Sequence, residues 1–260
     1  MKVLAMIATV SLAAGSLAPS DTPRVVAAAS LAGVLGGAVP QTESDDLQSV
    51  LRKLDAAAAS FNTAQAEFEW DNYQKVIDDI IDVETGTIYY RHHSGKEIEM
   101  MADVKKSGPT ATSLKPEQKY VLFSDGKVRM YTPKTEQETV YDLGKNRADL
   151  ESYVVLGFGG SGQDLQKTFD VTYGGMETVN GVSAAKLNLV PKSEKVRRNY
   201  NRMILWIDLD KGISVQQQFF TPQGDYRLCK YSAVKMHEKL SDEVFKLKTT
   251  GKTQILSPNG

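Results

Sequence analysis

The residues from Gly157 to Gly162, GFGGSG, fit the G-x-G-x-x-G pattern with which a strand-to-helix turn cradles a pyrophosphate, and Glu177 follows at the distance of a ribose-binding acid. The apolar YVVL before the run and a possible helix after it complete the outline of a dinucleotide site. The surrounding sequence opposes it. A parallel crossover would be needed downstream, whereas YGG, the VNGV hairpin and further antiparallel signals follow. The run reads instead as a glycine loop between two helical pieces.

Other reactive side chains are sparse. His92 and His93 are adjacent, so on a strand they point to opposite faces, and His237 would have to converge on them from the far end of the chain. A metal site is not expected. Ser161 in GGSGQ lacks the spacing of a nucleophile elbow, and no Ser, His, Asp arrangement is readable. Asp208 and Asp210 in IDLDKG share a strand face and could pair as acid and base, but the Lys-Gly turn behind them makes them hairpin punctuation. The basic run KSEKVRRNYNR, Lys192 to Arg202, reads as a solvated loop; if it acts, it attracts an anionic partner or membrane surface. No catalytic residue, cofactor or enzymatic activity is expected.

Composition narrows the class further. In 260 residues, 31 Lys and Arg stand against 32 Asp and Glu, which argues against a nucleic-acid binder. Two apolar runs, Val3 to Ala18 and Val25 to Val39, each follow a basic residue and precede the polar QTESDD. Residues 1–38 read as an export signal, with an uncleaved anchor as the alternative, residues 39–44 as a short polar linker, and residues 45–260 as a single domain. Cys229 is the only cysteine, so the domain has no disulfide framework, and the thiol reads as a small buried hydrophobe on a strand.

The elements that must position any site begin with a helix. From Asp45, Leu47, Val50, Leu51, Leu54, Ala58 and Phe61 recur at helical spacing behind acidic residues that suit a helix N-terminus. Strands follow, separated by turn pairs at Thr85-Gly86, Ser94-Gly95, Asp125-Gly126, Asn180-Gly181, Lys211-Gly212 and Gln223-Gly224. The spacing predicts an antiparallel meander of about eleven strands, a polar loop from Lys105 to Lys119, and helical pieces near Arg147 to Leu156 and Gly162 to Phe169. In RMILWIDL both faces are apolar, which suits a curved sheet wrapped over helices with its inner face as a cavity wall.

Taken in order, the N-terminal helix, the hairpin SDGKVRMYTPKTEQETVY and the segment VLGFGGSGQDLQKTFDV resemble the LolA-like periplasmic carriers of outer-membrane lipoproteins. AAKLNLVPK, MILWIDLDKGISVQQQFFTPQGDYRLCKYS and VFKLK are similar to that family as well. The resemblance implies an α+β fold: a strongly curved antiparallel half-barrel covered by helices and enclosing a hydrophobic cavity for acyl chains. It implies a soluble, monomeric periplasmic carrier of acylated lipoproteins or related lipids, with an inner-membrane donor and an outer-membrane acceptor; a lipid-sensing regulator of the same fold is the alternative. On it the expected cavity wall is Val121, Phe123, Val128, Met130, Val140, Leu187, Leu189, Leu205, Ile207 and Phe219. The expected lid carries Leu51, Leu54 and Leu156, with Arg91 as its latch by resemblance to the family's early-strand arginine.

Overall fold

A computed structural model describes residues 43–92, 98–144, 153–154 and 156–258. The expected export signal lies outside these residues, as do His93, Ser94-Gly95 and most of the first helical piece. Helix α1 (Glu43–Ser60) comes first. Six strands follow: β1 (Thr63–Gln74), β2 (Asp79–His92), β3 (Ile98–Gly108), β4 (Lys115–Ser124), β5 (Lys127–Thr132) and β6 (Gln137–Asp142). After the crossing segment, described at residues 153–154 and 156–158, come α2 (Gly162–Thr168), β7 (Phe169–Val179), β8 (Val182–Pro191), the single turn α3 (Glu194–Arg197), β9 (Arg202–Asp208), β10 (Ile213–Phe220) and β11 (Tyr226–Met236). A 3-10 turn (Asp242–Phe245) and the short β12 (Gln254–Leu256) end the described chain.

The 12 strands of the described residues form one curved, unclosed sheet in the order β12-β6-β5-β4-β3-β2-β1-β11-β10-β9-β8-β7. Two meanders, β1 to β6 and β7 to β11, are sewn together where β1 pairs with β11. Every pairing is antiparallel except β12 on β6. Two tight hairpins sit where the sequence places them, because Asp125-Gly126 and Asn180-Gly181 both supply two successive positive φ angles.

Two turn assignments are corrected. Thr85-Gly86 is no turn but lies inside β2, opposite a register shift in which a Cβ on Gly86 would meet the Asp103 carbonyl oxygen at 2.0 Å. The expected loop from Lys105 to Lys119 is mostly strand: β3 runs through Gly108 and β4 starts at Lys115, with Pro116 paired to Lys106. Its residues are polar because this end of the hairpin is largely exposed, not because the backbone is irregular.

The concave face carries two contiguous cores. Ala64, Ala66, Phe68 and Trp70 alternate inward from β1 and meet Ile88, Met100, Val121 and Phe123 from β2 to β4. Beneath α1, Val50 and Leu54 pack with Leu187, Leu189, Leu205 and Ile207 from β8 and β9. The convex face is covered locally. There Phe245 closes over Met101 and Leu122, and Tyr89, Tyr120, Leu240 and Val244 pack around them.

Candidate functional site

Between β1 and β2 on one side and β10 and β11 on the other, the crossing segment bridges the concave face and roofs a cavity of about 90 Å³. Its walls are Trp70, Ile88, Tyr90, Met100, Cys229 and Tyr231, with Tyr200 and Phe219 at one side. The roof is Tyr153, Val154 and Leu156. Alternation explains the wall: Arg227, Cys229 and Tyr231 of β11 stand opposite Asn72, Trp70 and Phe68 of β1, so all six point inward.

The roof is held by aromatic stacking and by a buried hydrogen-bond chain. Phe158 stacks flat on Tyr90, with ring centroids 4.4 Å apart, and takes the edge of Tyr231 at 4.9 Å. Gln217 Nε2 donates to the Leu156 carbonyl, and the Tyr231 hydroxyl donates to Gln217 Oε1 at 3.1 Å. Ser214 N–H donates to the Gly157 carbonyl at 2.7 Å, and Phe158 bridges to Ile213. This contact explains the first glycine of GFGGSG: at φ +77° a Cβ there would lie 2.0 Å from Ser214 Oγ. Ser161 caps α2, its Oγ accepting from Asp164 N–H at 3.0 Å. The glycine run is packing against β10 and α1.

One end of the cavity is polar. Arg227 is 6% exposed, and its Nε donates to Asn72 Oδ1 at 2.9 Å. Its Nη2 lies 3.8 Å from Glu84 Oε2, while Lys119 pairs with Glu84 Oε1. Asn72 Nδ2 donates to Asp82, whose carboxyl is pushed up by burial and by the neighbouring Glu84 charge. The Arg227 guanidinium stands 5.1 Å over the Trp70 ring. Burial drives the Cys229 thiol and the Tyr200 phenol each up to about 12.

The expected site residues divide into four groups. Val121, Phe219 and Leu156 line the cavity. Phe123 and Val128 lie in the adjoining core, with Met130 packed against it. Leu187, Leu189, Leu205 and Ile207 are completely buried under α1, as Leu54 is, and are packed core rather than cavity wall. Leu51 is buried where Gly162 comes against its backbone.

Val140 and Arg91 are corrections. Val140 pairs with Arg129, whereas Val128 pairs with Tyr141, so a one-residue offset puts Val140 on the face opposite Val128 and Met130. Arg91 also faces outward. It binds Glu99 Oε2 at 2.6 Å and Asp242 Oδ1 at 2.5 Å and stands 4.3 Å over Phe245, so it clasps the C-terminal segment and not the roof.

Remaining motifs fall into structural roles. His92 and His237 flank the start of β1, with backbone amides on the Asn62 and Thr63 carbonyls, and among the described residues no cluster of three or more His, Cys, Asp or Glu could hold a metal. Asp208 Oδ1 accepts from the Asp210 and Lys211 amides at 3.0 and 3.3 Å, which makes it a turn residue. The basic run is not simply solvated: Val196 and Tyr200 are buried in the concave core, and Tyr200 reaches the cavity.

Trp70, Gln217, Arg227 and Tyr231 are site residues that sequence reasoning missed. The alternation of YRLCKYS would have found Arg227, Cys229 and Tyr231 together, whereas nothing local marks Gln217 among the three glutamines of QQQ. Among the described residues no helix is long and apolar enough to cross a membrane.

No protein-family model matches the sequence, and no curated protein matches it. Solved structures do. An uncharacterized conserved protein from Thermus thermophilus is similar over 82% of this chain and 99% of its own, at 11% identity and a TM-score of 0.50. MucB is similar over 81% of this chain at 14% identity and a TM-score of 0.48, and the match spans only 65% of MucB. A LolA superfamily protein, NE2245 from Nitrosomonas europaea, is similar over 77% of this chain and 97% of its own, at 13% identity and a TM-score of 0.37. At 11% identity the likeness to the Thermus thermophilus protein is one of fold.

Proposed function

We propose that the protein is a carrier that buries the acyl chains of lipoproteins or related lipids between its concave sheet and the crossing segment, for transfer toward an outer membrane. The observation that carries this reading is the cavity itself, walled by Trp70, Ile88, Tyr90, Met100 and Phe219 and roofed by Val154 and Leu156. Such a surface offers an aliphatic chain about 0.8 kcal/mol per methylene removed from water, and no covalent step belongs to the reaction.

Size makes the mechanism explicit. At about 90 Å³ the cavity is smaller than the ~150 Å³ cavity that admits benzene, so an acyl chain requires the roof to rise. The roof's attachment suits this, because the Gln217 and Ser214 contacts are few and polar while the stacked Phe158 and Tyr90 can exchange partners for lipid. Loading then exchanges a closed, self-packed roof for a chain packed against the same wall, and release restores the closed contacts.

The experiment is native mass spectrometry of the purified protein after incubation with an acylated lipopeptide and with its unacylated counterpart. A one-to-one complex with the acylated form alone is expected. Equal binding of both forms, or of neither, contradicts the proposal.

A further inference from the structure

We infer that the cavity is built for an amphiphile whose acyl chain ends in an anionic oxygen group, carboxylate or phosphate, and that Arg227 and the Trp70 indole N–H receive that group. This inference rests on the carrier reading and names the chemistry of what is carried. Among the described residues, Arg227 is the one charged side chain that lines the cavity, whose other lining is apolar and aromatic apart from Gln217 and Cys229. It is 6% exposed, so its charge acts with little screening by water.

A second, independent group points the same way. Trp70 is 7% exposed on the same wall, and among the described residues its Nε1–H has no well-formed hydrogen bond, the nearby Tyr231 hydroxyl being at best a weak acceptor. A buried indole donor left unmade costs free energy that an acceptor from a ligand would recover. Arg227 stands over the ring that carries this N–H, so the cation and the unfilled donor belong to one corner of the cavity.

The charges around Arg227 form a network. Glu84 is divided between Lys119 at Oε1 and Arg227 at 3.8 Å, and Asn72 serves Arg227 Nε and Asp82 at once. A guanidinium presents five donors in a planar fork, the geometry that suits carboxylate and phosphate oxygens.

The test uses the full chain at pH about 8, where the carboxylate ligand is ionised. N-phenyl-1-naphthylamine, a neutral probe, reports occupancy of the cavity, and hexadecanoate, hexadecyl phosphate and hexadecanol compete with it. Either acid should displace the probe at roughly tenfold lower concentration than hexadecanol, and the tighter of the two identifies the headgroup. Arg227→Met should abolish the preference, read as the ratio of acid to hexadecanol affinity within the variant, and Trp70→Phe should reduce it. Should Arg227→Met fail to fold because Glu84 loses a partner, Arg227→Met with Glu84→Gln restores the balance and makes the same comparison. Equal affinity for acids and alcohol, or a preference that survives loss of Arg227, overturns the inference but leaves the carrier reading intact. Failure of the probe and of hexadecanol to bind overturns both.

Discussion

Gln217 holds the cavity closed through a single side-chain amide, donating to the Leu156 carbonyl and accepting from Tyr231. Gln217→Leu leaves that carbonyl buried without a donor, and the protein is expected to lose about 1–3 kcal/mol of stability in urea unfolding. The same variant should take up a neutral fluorescent lipid probe faster, because the roof loses one of its links to β10, the Ser214 and Ile213 contacts remaining. Slower or unchanged uptake would place the gate elsewhere.

Cys229 gives a second test at the same scale. Burial raises its thiol from 9.0 to about 12, so the folded chain retains a proton that the unfolded chain gives up. That contribution to stability is fully present below pH about 9 and is lost as pH rises toward 12. In urea titrations, Cys229→Ala is expected to flatten the decline of stability just above pH 9, before the buried tyrosines of the cavity add their own. Equal slopes in both proteins would contradict the burial of the thiol.

Among elements, the leucines of β8 and β9 stabilise the fold by packing under α1 and take no part in the cavity wall. Leu205→Ala should therefore destabilise by about 2–5 kcal/mol without changing the cavity's preference among ligands, a difference seen by comparing melting with probe binding. On the convex face, Arg91→Ala should raise hydrogen exchange in residues 240–247 and leave ligand uptake unchanged, because Arg91 clasps the C-terminal segment to β2 and β3. Slowed or accelerated uptake in that variant would restore Arg91 to the roof.

Elements differ in how plainly the sequence announces them. The stripe Leu47, Val50, Leu51, Leu54 recurs at helical spacing because α1 has one dry face, and Asp125-Gly126 and Asn180-Gly181 are legible because few other pairs tolerate two positive φ angles. Thr85-Gly86 carries the same type of signal for another reason, close approach of β3, so composition alone cannot separate a turn from a bulge. The cavity wall was partly legible: Val121 and Phe219 follow strand alternation, while Val140 fails by one step of register across the Pro133 turn. Gln217 and Trp70 become site residues only through pairing between β1, β11 and β10, contacts that join the two ends of the chain.

At the scale of the whole molecule, two meanders joined by the β1 and β11 pairing make a concave surface whose two halves have different tasks. The half under α1 is solid core, and the half under the crossing segment holds the cavity. The two tryptophans report on this division, because Trp70 lines the cavity while Trp206 lies on the opposite face with its indole N–H donating to Glu177 at 2.6 Å. The most direct measurement is quenching of tryptophan emission by a brominated fatty acid in Trp206→Phe, which keeps Trp70, and in Trp70→Phe, which keeps Trp206. An acyl chain carried in the cavity predicts saturable quenching of Trp70 and little of Trp206. Equal quenching of the two, or no saturable quenching of Trp70, would contradict it.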